Sequence, residues 1–252
     1  MKILILYYSG VGNTKMVAKK MYDTLFESYT VTLTSVEQPL VITPYDYDAL
    51  VIGFPTIHSS PAEPILNFIK QMKQLQKSIP TYLFTTCGLY STNALRIFAK
   101  QCRRKNLIPI INRSYRCAAT DGILIAPFMK IWFSHEKGLN KKIENDISDF
   151  LVLLSRPTTI RIPRFKLYSI LNYPNKFLGQ HYSPHIYTHK EKCVLCGKCI
   201  KNCPTHSISK DNNGFPNVKA LQCIHCYRCI HHCPKRALSL SDKRTPQKTL
   251  YY

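Results

Sequence analysis

The sequence has few acidic residues: 14 Asp and Glu stand against 35 Lys and Arg in 252 residues, which gives a formal net charge of +21. It also has one tryptophan and nine glycines, but 45% of its residues are hydrophobic and 11% are aromatic. A chain of this length and apolar content buries a core, which excludes a mainly disordered protein. One large or two small domains are expected.

Long hydrophobic runs are missing as well. The strongest candidate, residues 122–133, is interrupted by Pro127 and Lys130 and is shorter than the roughly 18 residues that indicate a transmembrane helix. The N-terminal run MKILILYY is not followed by the small-residue pattern of a signal-peptide cleavage site. We therefore expect a cytoplasmic protein with no transmembrane segment.

Cysteine, in contrast, is abundant, with a count of 11. Three are scattered (Cys87, Cys102 and Cys117), and eight form two copies of the pattern Cys-x-x-Cys-x-x-Cys-x-x-x-Cys-Pro, which begin at Cys193 and Cys223. Three closely spaced thiolates and a fourth that follows a longer gap are typical of iron-sulfur ligation. The eight candidate metal ligands are Cys193, Cys196, Cys199, Cys203, Cys223, Cys226, Cys229 and Cys233.

This pattern resembles the ligand run of bacterial ferredoxins, in which the fourth cysteine of each run binds the other of two 4Fe-4S clusters. The resemblance implies a first cluster on Cys193, Cys196, Cys199 and Cys233. It implies a second cluster on Cys223, Cys226, Cys229 and Cys203.

Two other interpretations of the cysteines fit less well. A disulfide framework is unusual in a chain without a secretory signal, and zinc sites usually show pairs of Cys-x-x-Cys, not triplets closed by Cys-Pro. Because each thiolate set is complete, the nearby histidines are interpreted as surface or supporting groups. These are His206, His225, His231 and His232.

Residues 1–155 alternate between apolar runs and amphipathic segments. Strands are predicted at 2–8, 29–33, 49–54, 81–86 and 107–113, and helices at 13–26, 64–75, 93–104 and 139–154. This alternation gives a parallel sheet with helices on both faces. We expect a doubly wound α/β domain with a five-stranded parallel sheet at 1–155, a proline-containing connector at 156–187 and a small α+β ferredoxin-like domain at 188–242.

The turn after the first strand, Ser9-Gly10-Val11-Gly12-Asn13-Thr14, leads into the first predicted helix. A helix N-terminus offers free N–H groups to an anion, and the glycines let the backbone approach it. The turn matches neither the Rossmann nor the P-loop pattern. It resembles the flavodoxin loop that holds the FMN phosphate, with Val11 where flavodoxins usually have Thr or Ser, and this resemblance implies FMN as a cofactor.

The same resemblance places the flavin ring between the loops after the third and fourth strands. The candidates in these loops are Pro55, Thr56, Ile57, His58, Cys87, Gly88, Leu89 and Tyr90. Tyr90 is interpreted as either a stacking or a packing residue, His58 as either a ring contact or solvent-exposed, and Cys87 as an inert cysteine at a strand end. The third-strand loop lacks the glycine that many flavodoxins use for a peptide flip.

The whole chain resembles fusions of a flavodoxin domain with a two-cluster ferredoxin domain. The resemblance implies an electron-transfer protein that relays electrons between two 4Fe-4S clusters, FMN and external partners, without covalent chemistry by side chains. Two alternatives remain open. One is a flavin-dependent reductase of a small acceptor such as a quinone, fed by the clusters, and the other is an iron-sulfur binding protein whose first domain lacks flavin.

The charge is uneven: residues 1–155 carry 18 basic and 11 acidic residues (+7), and residues 156–252 carry 17 and 3 (+14). A strongly basic surface favours anionic partners. An acidic redox protein is preferred, since no recognised nucleic-acid-binding module is present. Residues 161–173 mix basic and aromatic side chains, and we expect them to pack between the domains, with a membrane surface as the alternative.

Overall fold

The computed structural model describes residues 1–38, 46–156, 159–170, 185–246 and 248–250. The strands of the first domain are β1 (Lys2–Tyr7), β2 (Thr30–Ser35), β3 (Ala49–Ile57), β4 (Ser60–Pro61), β5 (Ile79–Cys87) and β6 (Leu107–Arg116). Its helices are α1 (Asn13–Phe26), α2 (Glu63–Gln71), α3 (Ala94–Arg103), α4 (Thr120–Ile125) and α5 (Leu139–Leu154), with a 3₁₀ turn at Lys130–Phe133.

The sheet has the order β2-β1-β3-β5-β6, and all of these neighbours pair in parallel. The two-residue strand β4 pairs with the end of β3 in an antiparallel hairpin. Without β4, the order is 2-1-3-4-5, which is the flavodoxin-like order of doubly wound sheets. The predicted five-stranded parallel sheet is therefore confirmed, and one short antiparallel strand is added at the carboxyl end of its central strand, β3.

Both faces of the sheet are covered, as a continuous apolar strand sequence predicts. Neighbouring residues of β1 point to opposite faces: Ile3 and Ile5 belong to the core beneath α1 and α5, whereas Leu4 and Leu6 belong to the core beneath α2 and α3. All four side chains are fully buried. The sheet thus forms a rigid frame whose loops build the site.

The strands β3 and β6 each continue three residues past their predicted ends. β3 extends to Ile57 because Pro55 remains paired with β5 and because Thr56 and Ile57 pair with β4, and β6 extends to Arg116 because its pairing with β5 continues to Cys87. The candidate flavin-ring residues Pro55 to Ile57, which were assigned to a loop, are therefore part of a strand. The apolar pattern alone does not show this pairing, because the strand ends carry polar and aromatic side chains.

The second domain contains β7 (Tyr187–Thr188), α6 (Lys198–Lys201), β8 (Ile208–Lys210), β9 (Pro216–Val218), α7 (Arg228–His231) and β10 (Leu238–Ser239). The antiparallel pairs β7–β10 and β8–β9 form two small sheets. A third core lies between them, formed by Ile186, Ile208, Val218, Tyr227, Ile230 and Leu238. The predicted small α+β domain is confirmed.

The two cysteine runs share one backbone conformation. Leu195 and His225, which occupy the same place in the two runs, both have φ 54°, while Gly197 and Tyr227 have φ 69° and 56°. All four φ values lie in the left-handed region, which residues with a Cβ adopt infrequently. The sequence repeat is therefore also a structural repeat.

Part of the predicted connector, 157–158 and 171–184, lies outside the described residues. Residues 161–173 were expected to pack between the domains; of these, residues 161–170 are described, and they contact the first domain. The Arg161 N–H donates to Pro109 O at 2.6 Å, and Arg96 Nη1 donates to Pro163 O at 2.8 Å. Through the part of the chain that the structure describes, no helix is long and apolar enough to cross a membrane.

Gly53 lies in the middle of β3, where an added Cβ would overlap the ring of the fully buried Phe84. We expect Gly53→Ala to lower the free energy of unfolding by about 1–3 kcal/mol, the usual cost of overpacking a core. Urea denaturation measures this loss. In a Phe84→Leu background, the same glycine substitution should cost less, and an equal cost in both backgrounds would exclude the clash as the cause.

Candidate functional site

A cavity of about 690 Å³ opens at the carboxyl ends of β1, β3 and β5. We call it the strand-end cavity. It lies where the strand order reverses, which is the position at which open α/β sheets bind ligands. Its first-domain wall contains Ser9, Gly10, Val11, Asn13, Thr14, Pro55, Thr56, Ile57, His58, Ser59, Thr86, Cys87, Gly88, Leu89, Tyr90 and Thr92.

The loop from Ser9 to Thr14 forms the end of this cavity next to α1. Gly12 has φ 138°, a conformation that glycine adopts without strain. The buried Thr14 hydroxyl lies 2.8 Å from that of Thr86, which anchors the helix start to β5. Asn13 Nδ2 donates to Ala118 O at 2.7 Å.

Two polar atoms of this loop, Ser9 Oγ and Asn13 Oδ1, are buried and have no hydrogen-bond partner in the part of the chain that the structure describes. Leaving such atoms unsatisfied costs about 1–3 kcal/mol each, so native proteins seldom do so without a ligand or an ordered water. Both residues line the strand-end cavity. The loop is therefore built to receive a polar ligand.

The second domain holds the outer side of the same loop. Arg228 Nη2 and Nε donate to the carbonyls of Ser9 and Gly10 at 2.6 and 2.7 Å, and His232 Nε2 donates to Val11 O at 3.0 Å. A trans peptide has its C=O and N–H on opposite sides, so the N–H groups of Gly10, Val11 and Gly12 point away from Arg228 and His232. In the described part of the chain, none of these three N–H groups donates a hydrogen bond. Successive free N–H groups of this kind form an anion-binding nest.

Arg228 is itself oriented by Glu37. Its two Nη atoms lie 2.7 and 2.8 Å from the two carboxylate oxygens of Glu37, which is a bidentate ion pair. Nη1 also donates to Asn202 O at 3.0 Å. The guanidinium thus binds residues of both domains at once.

The turn between β3 and β4 forms a second side of the cavity. His58 and Ser59 have φ 45° and 61°, and Thr92 Oγ1 donates to Ser59 O at 3.1 Å. His58 Nε2 is buried and has no hydrogen-bond partner among the described residues. Burial lowers the pKa of His58, and the nearby Asp121 carboxylate opposes this shift only in part. The half-buried His58 thus lines the cavity.

The end of β5 forms a third side. Cys87 is buried, and burial raises the pKa of its thiol, although a hydrogen bond with Ser114 opposes the shift. A thiol with a raised pKa is a poor nucleophile, which agrees with the inert interpretation. Tyr90 is 68% exposed, and its ring meets the ring of Tyr168 edge-on at 6.1 Å.

A fourth wall was not predicted from the sequence. α4 and the 3₁₀ turn cover the cavity with Gly122, Ile125, Ala126 and Trp132, among others. Gly122 packs directly against the Trp132 ring. The buried Nε1 of Trp132 has no hydrogen-bond partner within the described ranges. The apolar run at 122–133, considered above only as a membrane candidate, was the signal for this wall.

The second domain closes the cavity with the loop that contains His225, Cys226 and Tyr227. An ideal Cβ on Gly10 would lie 3.3 Å from Cys226 Cβ, so this cysteine is in close contact with the loop after β1. The His225 ring meets the His58 ring at 5.7 Å. Burial, with His58 adding to it, lowers the pKa of His225 to about 4.

Two of the histidines that were interpreted as surface or supporting groups are buried. His231 is 0% exposed and His225 is 7% exposed, so a surface position is wrong for both. His231 Nε2 donates to Thr120 O at 2.9 Å, which links α7 to α4. Burial lowers the pKa of His231 to about 4, so it stays neutral at the domain boundary.

The eight clustered cysteines fall into two groups in space. Cys193, Cys196, Cys199 and Cys233 line one small cavity. Cys203, Cys223, Cys226 and Cys229 line another. Each group takes three residues from one run and one from the other, as the ferredoxin resemblance implied.

Among the described residues, no group of three His, Cys, Asp or Glu side chains is arranged to hold a single metal ion.

Comparison with known proteins agrees with both halves of the site. A family model of the flavodoxin domain matches residues 4–114, and a family model of the 4Fe-4S dicluster domain matches residues 185–234. The chain is a fusion of a flavodoxin domain and a 4Fe-4S dicluster domain. These domains imply FMN and 4Fe-4S clusters as cofactors and electron transfer as the general activity.

Similar solved structures cover the flavodoxin domain. A flavodoxin from the domain Archaea is 14% identical with a TM-score of 0.46, and the match covers 62% of this chain and 100% of that one. Oxidised Flavodoxin 1 from Bacillus cereus is 14% identical with a TM-score of 0.48 and the same coverage. A flavoprotein in complex with FMN from Lactobacillus acidophilus NCFM is 23% identical with a TM-score of 0.38, over 45% of this chain and 92% of that one. A search of curated proteins found no match.

The unpaired Ser9 hydroxyl provides a test of the flavodoxin-domain site. We expect Ser9→Ala to weaken FMN binding about tenfold, because a hydrogen bond to a charged group contributes about 1.5–3 kcal/mol. Quenching of FMN fluorescence on titration with flavin-free protein measures the affinity. Ser148→Ala on α5, whose hydroxyl bonds to Glu144 O, is the control, and equal affinities for both variants would contradict the assignment of Ser9.

Proposed function

We propose that this protein transfers electrons between an external redox partner, two 4Fe-4S clusters and an FMN in the strand-end cavity. One observation carries the proposal: Cys226, a ligand candidate of the second cluster, lines the same cavity as the loop after β1. Clusters pass single electrons, and a flavin accepts one or two. A cavity shared by a cluster ligand and the flavin loop suits direct exchange between them.

The cluster ligands in this proposal are the two crossed cysteine groups. Cys193, Cys196, Cys199 and Cys233 would hold the first cluster, and Cys223, Cys226, Cys229 and Cys203 the second. Support comes from the two small cavities, each lined by one complete group. Apolar side chains such as Ile200, Ile230 and Leu238 pack around the cysteines and would limit the access of water, which influences cluster potential.

The FMN phosphate would lie at the loop Ser9–Thr14, and the ring would lie among Pro55, Thr56, Ile57, His58, Cys87, Gly88, Leu89 and Tyr90. The unsatisfied Ser9 and Asn13 atoms and the free N–H groups of this loop support the phosphate position. We propose the domain limits 1–155 and 188–242, with a connector at 156–187. In this scheme, side chains bind and orient the cofactors and do not form covalent bonds with a substrate.

We further propose that the external partner is an acidic redox protein. The excess positive charge of +14 on residues 156–252 supports this choice. We also propose a cytoplasmic location, because cysteines that bind iron-sulfur clusters must stay reduced and a reducing compartment keeps them so.

A second candidate function is the reduction of a small acceptor at the flavin. Two buried nitrogen atoms that have no hydrogen-bond partner among the described residues favour it: His58 Nε2 and Trp132 Nε1, on residues that line the strand-end cavity. Both kinds of nitrogen can donate a hydrogen bond to a carbonyl group. Multiple turnovers with a benzoquinone in the absence of any carrier protein would favour this candidate, and their absence would favour the carrier.

Cofactor content tests the main proposal. Anaerobically purified protein is expected to contain about eight iron, about eight acid-labile sulfides and one FMN per chain. Colorimetric iron and sulfide assays and the fluorescence of extracted flavin provide the counts. Full iron and sulfide with no FMN after reconstitution would instead indicate an iron-sulfur binding protein with a flavin-free first domain.

The Arg228–Glu37 pair provides a test of the contact between the domains. Arg228→Ala removes the donors that hold Ser9 O and Gly10 O, so electron transfer from the clusters to FMN should slow about tenfold, because small misplacements have large effects on rate. Glu37→Gln should slow the transfer less, since Arg228 keeps its carbonyl partners. Stopped-flow absorbance after mixing with reduced methyl viologen follows each step.

Lys201→Ala, at an exposed position on α6, serves as the control for this experiment. Iron and flavin contents are measured first, so that loss of a cofactor is not mistaken for slow transfer. Wild-type transfer in fully loaded Arg228→Ala protein would show that the contact does not set the electron path.

A further inference from the structure

The two cysteine loops have the same backbone but opposite surroundings. We call residues 193–199 the first cysteine loop and residues 223–229 the second cysteine loop. Two positions are called equivalent when they lie the same number of residues after Cys193 and after Cys223. The equal φ angles of Leu195 and His225 support this equivalence. Any difference in burial between equivalent side chains therefore reflects what covers each loop.

The second cysteine loop is covered by the flavodoxin domain. Ile224 packs against the core of that domain beneath α2 and α3, and His225 is 7% exposed. Arg228 is the cation of this contact, and its guanidinium donates hydrogen bonds to the Glu37 carboxylate and to two backbone carbonyls. The molecule thus shows how a loop of this shape docks: an apolar and a ring side chain make contact, and a cation pairs with a carboxylate beside them.

The first cysteine loop also has apolar side chains beside a cation, but nothing in the described part of the chain packs over them. Val194 and Leu195, the equivalents of Ile224 and His225, are 56% and 50% exposed. Cys196 is exposed, and Lys198, the equivalent of Arg228, is exposed as well. Lys210 and Lys235 line the same small cavity as the four cysteines of this group.

We infer that the first cysteine loop is the docking site for an acidic one-electron carrier protein, which contacts Val194 and Leu195 and places carboxylates against Lys198 and Lys235. This inference rests on the proposed function, because it assumes that a cluster lies beneath the loop. The carrier would cover the first cysteine loop in the same way that the flavodoxin domain covers the second cysteine loop.

Charge complementarity supports a carrier that is acidic. Residues 185–242 contain nine Lys and Arg and three acidic residues, Glu191, Asp211 and Asp242. Glu191 lies 3.5 Å from His189, and Asp211 lies 3.9 Å from Lys190. The domain therefore presents a strong net positive charge to a partner at the loop.

The apolar centre favours a protein over a nucleic acid or a lipid headgroup. Protein interfaces combine an apolar centre with a polar rim, and Val194 and Leu195 lie between Lys192 and Lys198 in the chain. A phosphate backbone would engage the lysines but leave these side chains exposed. The exposed Cys196 also gives a docked carrier a short path to the first cluster.

The test is a binding measurement that needs no electron transfer. Cofactor-loaded protein is titrated, by isothermal titration calorimetry, with an oxidised bacterial two-cluster ferredoxin of net negative charge. We expect Lys198→Glu and Lys235→Glu each to raise Kd about tenfold at low ionic strength, because charges at an interface rim control association. The effect should shrink in 0.3 M salt, where charges are screened beyond about 6 Å.

Lys77→Glu is the matched control, because it makes the same change in net charge at an exposed position just before the amino end of β5. Its Kd should stay within about twofold of wild type. Equal weakening in all three variants would show that net charge alone acts, and unchanged Kd values or no binding by the wild type would equally overturn the docking site.

The counts of iron and flavin separate this inference from the proposed function. Protein that lacks FMN but binds the carrier through Lys198 would contradict the proposed electron transfer to FMN, and the inferred docking site would still be supported. Fully loaded protein whose carrier affinity does not depend on Lys198 or Lys235 would contradict the docking site and leave the relay intact. Binding of tRNA or of anionic vesicles that depends on Lys198, together with no binding of the carrier, would overturn the inference and assign the loop to another class of partner.

Discussion

The contact between Arg228 and the loop after β1 is the interaction on which the site depends. A guanidinium removed from water needs full pairing, and this one finds it in the Glu37 carboxylate and the carbonyls of Ser9 and Gly10. Those carbonyl bonds fix the direction of the peptide units. The N–H groups of the loop consequently face away from the second domain, where an anionic group can bind them.

This contact makes the two domains parts of one site. In a flavodoxin domain alone, the sheet and α1 position the phosphate loop. Here the second domain also holds the outer side of that loop, and it supplies Cys226 and His225 to the strand-end cavity. The same few bonds therefore orient the loop after β1 and place Cys226 next to it, whereas Cys196, the equivalent cysteine of the first run, is exposed.

Much of this arrangement was predictable from local sequence. The grouping of the eight cysteines was implied by the resemblance of their spacing to the bacterial ferredoxin ligand run, in which the fourth cysteine of each run joins the other group. Strands such as β1 were predictable because buried parallel strands are continuously apolar. The position of the cavity follows from the strand order once the strands are known.

The rest depends on contacts between residues far apart in the chain. Arg228 is 219 residues from Ser9, and one more basic side chain in a chain with 35 of them carries no local signal. The burial of His225 and His231 and the extension of β3 depend on such contacts as well. The wall that contains Trp132 was missed for another reason: a short apolar run fits a buried helix, a strand or a lipid contact equally well.

Anomalous diffraction at the iron absorption edge, from crystals grown anaerobically with FMN, tests the central claim most directly. The account predicts two iron clusters in each chain, one among Cys193, Cys196, Cys199 and Cys233 and the other among Cys203, Cys223, Cys226 and Cys229. It also predicts flavin density in the strand-end cavity on the side of the second cluster. A single cluster, or flavin density away from Cys226, would contradict it.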